Sequence, residues 1–123
     1  MRDVTVAVID DDPAGRSALT MLLGIEGFRV AAYASPASFL GDAVTRHSCL
    51  IVDQNLPGMT GLALISTLRE QGIDMPVLLM SGAIDNSITR RAAQLNVQKV
   101  MEKPLEPEEV VAFVEAYCRD CTS

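Results

Sequence analysis

The chain has 123 residues, 49% hydrophobic and 21% charged, which fits one folded domain with a single core and excludes an intrinsically disordered chain. A formal net charge of −6 without any basic stripe excludes direct nucleic-acid binding by this domain, because such affinity rests on phosphate neutralisation. No apolar stretch approaches the roughly 20 residues of a membrane-spanning helix, and the lone Arg2 before a short apolar run is too little for a signal peptide, so the expected compartment is the cytoplasm.

Strand and helix patterns alternate five times with short connections, so residues 1–123 are expected to form one domain. Val4 to Ile9 reads as the first strand; Asp12 then caps a helix with Pro13 in its first turn. Leu19, Leu22, Leu23 and Glu26 share one face of that helix, and Gly27 supplies its left-handed stop. Phe28 to Tyr33 is the second strand, at an edge because Arg29 lies in it. Ser35-Pro36 opens a short helix carrying Phe39, Leu40 and Ala43. Cys49 to Val52 is wholly apolar and so reads as a central strand. Leu56 to Met59 is a turn, Thr60 a cap, and Leu64, Ile65 and Leu68 the buried stripe of a helix that ends at Gly72. Val77 to Met80 is the fourth strand. The helix after Asp85 has only Ile88, Ala92 and Leu95 to hold it and ends near Asn96; so weakly held an element is free to move. Val97 to Met101 is the fifth strand, and the last helix, from about Glu106-Pro107, is expected to bury Val110, Phe113, Val114 and Tyr117.

This order predicts an α/β fold: a doubly wound, all-parallel (βα)5 sheet of flavodoxin-like strand order 2-1-3-4-5. Such sheets bind ligands outside the carboxyl ends of their strands, at the switch point between strands one and three. Polar groups stand at those ends: Asp10-Asp11-Asp12, Asp53, Ser81-Gly82 and Glu102-Lys103-Pro104. Each has a plain structural reading as cap, turn or helix boundary, and Asp12 is assigned that role. Four at four strand ends point instead to a site for a divalent cation and a phosphoryl group. Close carboxylates need a compensating cation, and Mg²⁺ (or Mn²⁺) suits oxygen donors. Asp11 and Asp53 are the expected direct ligands, Asp10 acts through a water, and Asn55 lends its backbone carbonyl. Asp53, single and at the end of the most buried strand, is the candidate nucleophile toward phosphorus. Ser81 and Lys103 would each take one oxygen of the transferred group.

The run Asp53-Gln54-Asn55-Leu56-Pro57-Gly58-Met59-Thr60-Gly61, with Asp10-Asp11, Ser81-Gly82-Ala83 and Lys103-Pro104, resembles the response-regulator receiver domains of bacterial two-component signalling, from Val4 to about Cys118. The resemblance implies a CheY-like fold and phosphoryl transfer from a sensor histidine kinase to Asp53 with Mg²⁺. It further implies slow self-hydrolysis rather than enzymatic turnover, and a cis Lys103–Pro104 bond. It also implies a switch of conformation or dimerisation through the fourth helix, fifth strand and fifth helix, where Arg90, Arg91, Gln98 and Lys99 are expected to be exposed. The output would be transcription, through a DNA-binding part outside this chain. The sequence departs from the family's pattern in having Ser81 where Thr is frequent, Val100 at the usual aromatic switch position and Leu105 where Phe commonly follows Lys-Pro.

Two other readings compete. A haloacid-dehalogenase-like phosphatase would use Asp10 with Asp12, but leaves Asp53 and its turn unexplained; a phosphate-independent binding module would not need every catalytic group. Of the cysteines, Cys49 reads as a small buried hydrophobe, and Cys118-x-x-Cys121 lies at the wrong end of a helix for thiol activation.

Overall fold

The computed structural model describes residues 4–42 and 44–118. Its sheet has five parallel strands in the order β2-β1-β3-β4-β5, the order read from the sequence. Strand β1 (Thr5–Ile9) leads into α1 (Pro13–Ile25), and β2 (Arg29–Tyr33) into the short α2 (Pro36–Leu40). Strand β3 (Cys49–Asp53) precedes α3 (Gly61–Glu70), β4 (Val77–Ser81) precedes α4 (Asn86–Gln94), and β5 (Lys99–Glu102) precedes α5 (Pro107–Tyr117).

Side chains of a strand alternate between the two faces of its sheet, and the core divides accordingly. Val6, Val8, Ile51 and Leu78 pack with Leu23 of α1 and Val110 and Phe113 of α5. Ala7, Ile9, Leu50, Val52 and Leu79 pack on the other face with Phe39 and with Leu64, Ile65 and Leu68 of α3. All five residues of β3 and of β4 are buried, whereas every residue of β2 is exposed or half-buried, as the edge position marked by Arg29 requires. Helix boundaries follow the expected chemistry. The side chains of Asp12, Ser35, Thr60 and Asp85 each accept a backbone N–H of the first turn. Gly27 (φ 90°) and Asn96 (φ 56°) take the left-handed conformation after α1 and α4.

Several expectations need correction. Strands β3 and β4 each run one residue further than read, so Asp53 and Ser81 are themselves the last residues of buried strands. Strand β5 begins at Lys99, not Val97, and Gln98 is half-buried: its side-chain oxygen accepts the Val77 N–H at 2.7 Å while its own N–H donates to the Val77 carbonyl. Gln98 is therefore committed to the sheet and is no free surface residue. Tyr117 is 47% exposed rather than buried; its ring packs at a tilt against Phe113, with 5.3 Å between centroids. Ala43 and Cys121 lie outside the described residues.

Helix α4 is held by Ala92, Leu95 and half-buried Ile88, the sparse apolar set read from the sequence. What the sequence does not announce is Arg69 of α3. Its guanidinium donates to the carbonyls of Leu95 (2.7 Å) and Asn96 (3.2 Å) beyond α4, and to those of Ile73 and Met75 (both 3.0 Å). The C-terminal end of α4 is thereby tied to α3, while its N-terminal end follows the β4–α4 loop.

Candidate functional site

Parallel strands place all their carboxyl ends at one edge of the sheet, and β1, β3, β4 and β5 bring Asp10, Asp53, Ser81 and Lys103 there. Asp10, Asp11 and Asp53 offer carboxylate oxygens that all lie within 4.8 Å of one another. Asp10 and Asp53 are each only 3% exposed, and Asp11 reaches solvent. The Lys103 ammonium donates to Asp53 Oδ2 at 2.5 Å, and the Lys103–Pro104 bond is cis. Sequence positions 10, 53 and 103 are thus brought into one pocket.

Each carboxylate is aimed by local backbone geometry. Asp10 Oδ1 accepts the Asp12 N–H at 3.0 Å, and its main-chain N–H donates to the Tyr33 carbonyl at 3.1 Å. Asp53 Oδ1 accepts the Asn55 N–H at 3.0 Å, which leaves Oδ2 for Lys103. The Ser81 hydroxyl donates to the Ala83 carbonyl at 2.8 Å, so in this state it serves the β4–α4 loop. That loop is further fixed to β5 by the Ile84 N–H, which donates to Glu102 Oε1 at 3.3 Å. Asn55 is exposed. Asp12 accepts the Ala14 N–H at 3.3 Å as the helix cap, the role assigned to it from sequence.

Three contributors were given no structural role by the sequence reading, although Gln54 and Gly61 lie in the run quoted there. A Cβ on Gly15 would stand 2.5 Å from Asp10 Oδ2, and one on Gly61 would stand 2.6 Å from the Asp53 carbonyl oxygen and 2.9 Å from Leu79 Cδ1. The first turns of α1 and α3 can therefore close on the acidic pocket only because these positions lack side chains. Gln54 completes the join: its carbonyl accepts the Gly61 N–H at 3.0 Å and its side-chain oxygen the Leu62 N–H at 2.9 Å. Gly61→Ala is expected to destabilise the fold by about 1–3 kcal/mol through overpacking, despite the better helix propensity of Ala. Urea titration reads the loss; an unchanged midpoint would mean that the Asp53 backbone yields freely.

The electrostatics are those of crowded anions with one cation. Burial pushes the Asp10 carboxyl above its usual range; the Asp12 N–H and Lys103 pull it back, and the Asp53 and Asp12 charges push it further up. For Lys103, burial works against the charged form, but the hydrogen bond from its ammonium to Asp53 and the charges of Asp53, Asp10 and Asp11 carry it above its usual value. A raised lysine contributes stability that is complete below about pH 10.5 and is lost as pH rises through its folded-state value. Melting temperatures from about pH 9 to 12 should fall more steeply for the native chain than for Lys103→Met; parallel curves would show that the pair adds nothing to stability. Hard oxygen donors packed this closely fit a small divalent cation such as Mg²⁺. Beside them a groove of about 630 Å³ runs from Asp10 and Lys103 between α1 and α5, floored by Leu19, Met80 and Val110.

A doubly wound sheet with an acid cluster, a buried terminal Asp and a lysine at its carboxyl edge defines the class of phosphoacceptor signalling domains. The model of the response regulator receiver domain matches residues 6–115, and the chain belongs to that family. It is 36% identical over 112 residues to the transcriptional regulatory protein FixJ of Azorhizobium caulinodans, covering 90% of this chain and 53% of that protein. The response regulator protein TodT of Pseudomonas putida is 32% identical over 94% of this chain and 51% of its own length. The chain thus spans about half the length of the curated relatives it matches. Among solved structures, the response regulator StyR superposes with a TM-score of 0.87 at 29% identity, over 94% of this chain and 59% of that one.

Proposed function

We propose that this chain is a phosphorylation-controlled switch, in which Asp53 accepts a phosphoryl group from the phosphohistidine of a sensor histidine kinase. A carboxylate oxygen of Asp53 bonds to phosphorus while the N–P bond of the phosphohistidine breaks and the imidazole leaves. The observation that carries this reading is the convergence of Asp10, Asp11 and Lys103 on the buried Asp53 carboxylate. In this reading Lys103 passes from the carboxylate to a phosphoryl oxygen, and Ser81 exchanges the Ala83 carbonyl for another. Asp11, Asp53 and the Asn55 carbonyl would hold Mg²⁺ or Mn²⁺ directly, with Asp10 acting through a water. That ion supplies neutralisation of the charge on the transferred group. The groove beside Asp10 and Lys103 gives the incoming imidazole a route.

The switch follows from the competition for Ser81. Its departure from Ala83 frees the β4–α4 loop, and α4, tied at its far end by Arg69, pivots about that end. With half-buried Val100 in place of an aromatic ring, displacement of α4 rather than ring rotation transmits the change. The α4–β5–α5 face, with exposed Arg90, Arg91 and Lys99, then binds a second copy or another partner in the cytoplasm, controlling transcription through a DNA-binding part outside this chain. Phosphorylation and slow self-hydrolysis are the only reactions in this account; no substrate is turned over. The test is intact mass after incubation with acetyl phosphate. One phosphoryl adduct should form with Mg²⁺ and none with EDTA. An unmodified mass with Mg²⁺, under conditions where a known receiver is labelled, would leave only the phosphate-independent binding module.

A further inference from the structure

Strands of this fold run toward the acidic pocket and helices run back, so helix ends return to the opposite edge of the sheet. There Cys49, the first residue of β3, meets Cys118, the residue that closes α5. Both are buried in one apolar cluster with Val6, Phe28 and Val114. Both are free thiols, and their side chains are near enough to act on one another electrostatically, with Ser48 beside Cys118. Cys118 is additionally fixed through its N–H, which donates to the Val114 carbonyl at 2.7 Å. Among the described residues, the sulfur beside Cys118 is that of Cys49 of the central strand.

We propose that Cys49 and Cys118 form an oxidant-sensitive pair that closes into a disulfide, tying the end of α5 to the start of β3. The two thiols are unequal. The neighbouring Cys49 thiol holds the Cys118 thiol down against its burial, with help from Ser48, whereas Cys118 and burial push Cys49 up. Cys118, 4% exposed where Cys49 is fully enclosed, is the sulfur an oxidant meets first, and it reacts as the thiolate. With a peroxide as oxidant, Cys118 sulfur bonds to one oxygen as the O–O bond breaks and hydroxide leaves, giving a sulfenic acid. Cys49 sulfur then attacks Cys118 sulfur; the S–O bond breaks, and the departing hydroxide leaves with the Cys49 proton as water. The two thiols together lose two hydrogen atoms, and the peroxide is reduced to water. Helix α5 belongs to the face proposed above for partner binding, so the crosslink would fix one edge of that face without touching Asp53. The pair stands independently of the phosphoryl reading, since no residue of the acidic pocket enters the reaction.

The full chain is treated with hydrogen peroxide under native conditions, alkylated and mapped without reduction. The Cys121→Ser variant is treated in parallel, because Cys121 is the competing thiol. The expected product of both has a mass lower by two hydrogen atoms, yields a linked peptide pair containing residues 49 and 118, melts several degrees higher, and reverts with dithiothreitol. Cys118→Ser, with native circular dichroism, should give no such product. A link between Cys118 and Cys121 alone, oxygen addition at Cys118 without a link, or reaction only after urea is added would each overturn the proposal. Uptake from acetyl phosphate by the oxidised chain reports separately on the acidic pocket, so the two accounts fail by different measurements.

Discussion

Asp53→Asn is expected to lower phosphoryl uptake from acetyl phosphate by at least about a thousandfold, the scale at which removal of a nucleophile acts. The substitution keeps the shape of the side chain. The amide oxygen can still accept the Asn55 N–H that Oδ1 now receives at 3.0 Å, so β3 should end as before. What disappears is the anionic oxygen at Oδ2, and with it the partner of the Lys103 ammonium. Lys103 remains in the field of Asp10 and Asp11, so the ammonium is not abandoned and the fold should survive. Circular dichroism and a urea titration establish the fold, and intact mass reads the uptake. Residual labelling at the native rate in a folded variant would move the nucleophile elsewhere in the pocket.

Asp10→Asn should separate stability from function in opposite directions. Two like charges within 4.8 Å repel by about 3 kcal/mol at an effective dielectric of about 20, and Lys103 offsets part of this. Replacing buried Asp10 by an amide removes that repulsion and its desolvation. The amide oxygen can keep the bond from the Asp12 N–H, and the space beside Gly15 admits a group of the same size. The metal-free variant should gain on the order of 1 kcal/mol of stability. It should also lose roughly tenfold or more in Mg²⁺ affinity, read by calorimetric titration. The pH dependence carries the same sign. A carboxyl raised by burial favours the folded state most below its unfolded value near 3.8, and that contribution is lost as pH rises through the folded-state value. The native chain should therefore show a stability slope in mildly acidic solution that the variant lacks. A variant less stable than the native chain at neutral pH would show that Asp10 is held by contacts stronger than its repulsion.

The sheet was legible because its central strands are buried on both faces, and residues such as Ile51 and Leu78 leave no polar alternative to a parallel core strand. Site positions were legible for the same reason: an acid such as Asp53 at the end of an apolar run has to emerge at the carboxyl edge. Conformation inside the pocket was not. That the Ser81 hydroxyl turns to Ala83 depends on a loop whose path no single residue announces. Gly15 and Gly61 look like any helical glycines until the neighbouring elements close on them. Arg69 and Gln98 look like surface residues, yet their partners lie more than twenty positions away in sequence, at Leu95 and Val77, so only tertiary structure could assign them. Tyr117 fits the apolar periodicity of α5, yet it is left 47% exposed in the folded chain.

The most direct measurement is to label the chain with acetyl phosphate and Mg²⁺, trap the acyl phosphate by borohydride reduction, and locate the modified residue by peptide mapping. The convergence of the pocket on one carboxylate requires the modification at Asp53 alone. Modification at Asp10, the position a haloacid-dehalogenase-like phosphatase would use, or spread across Asp10, Asp11 and Asp53, would contradict it.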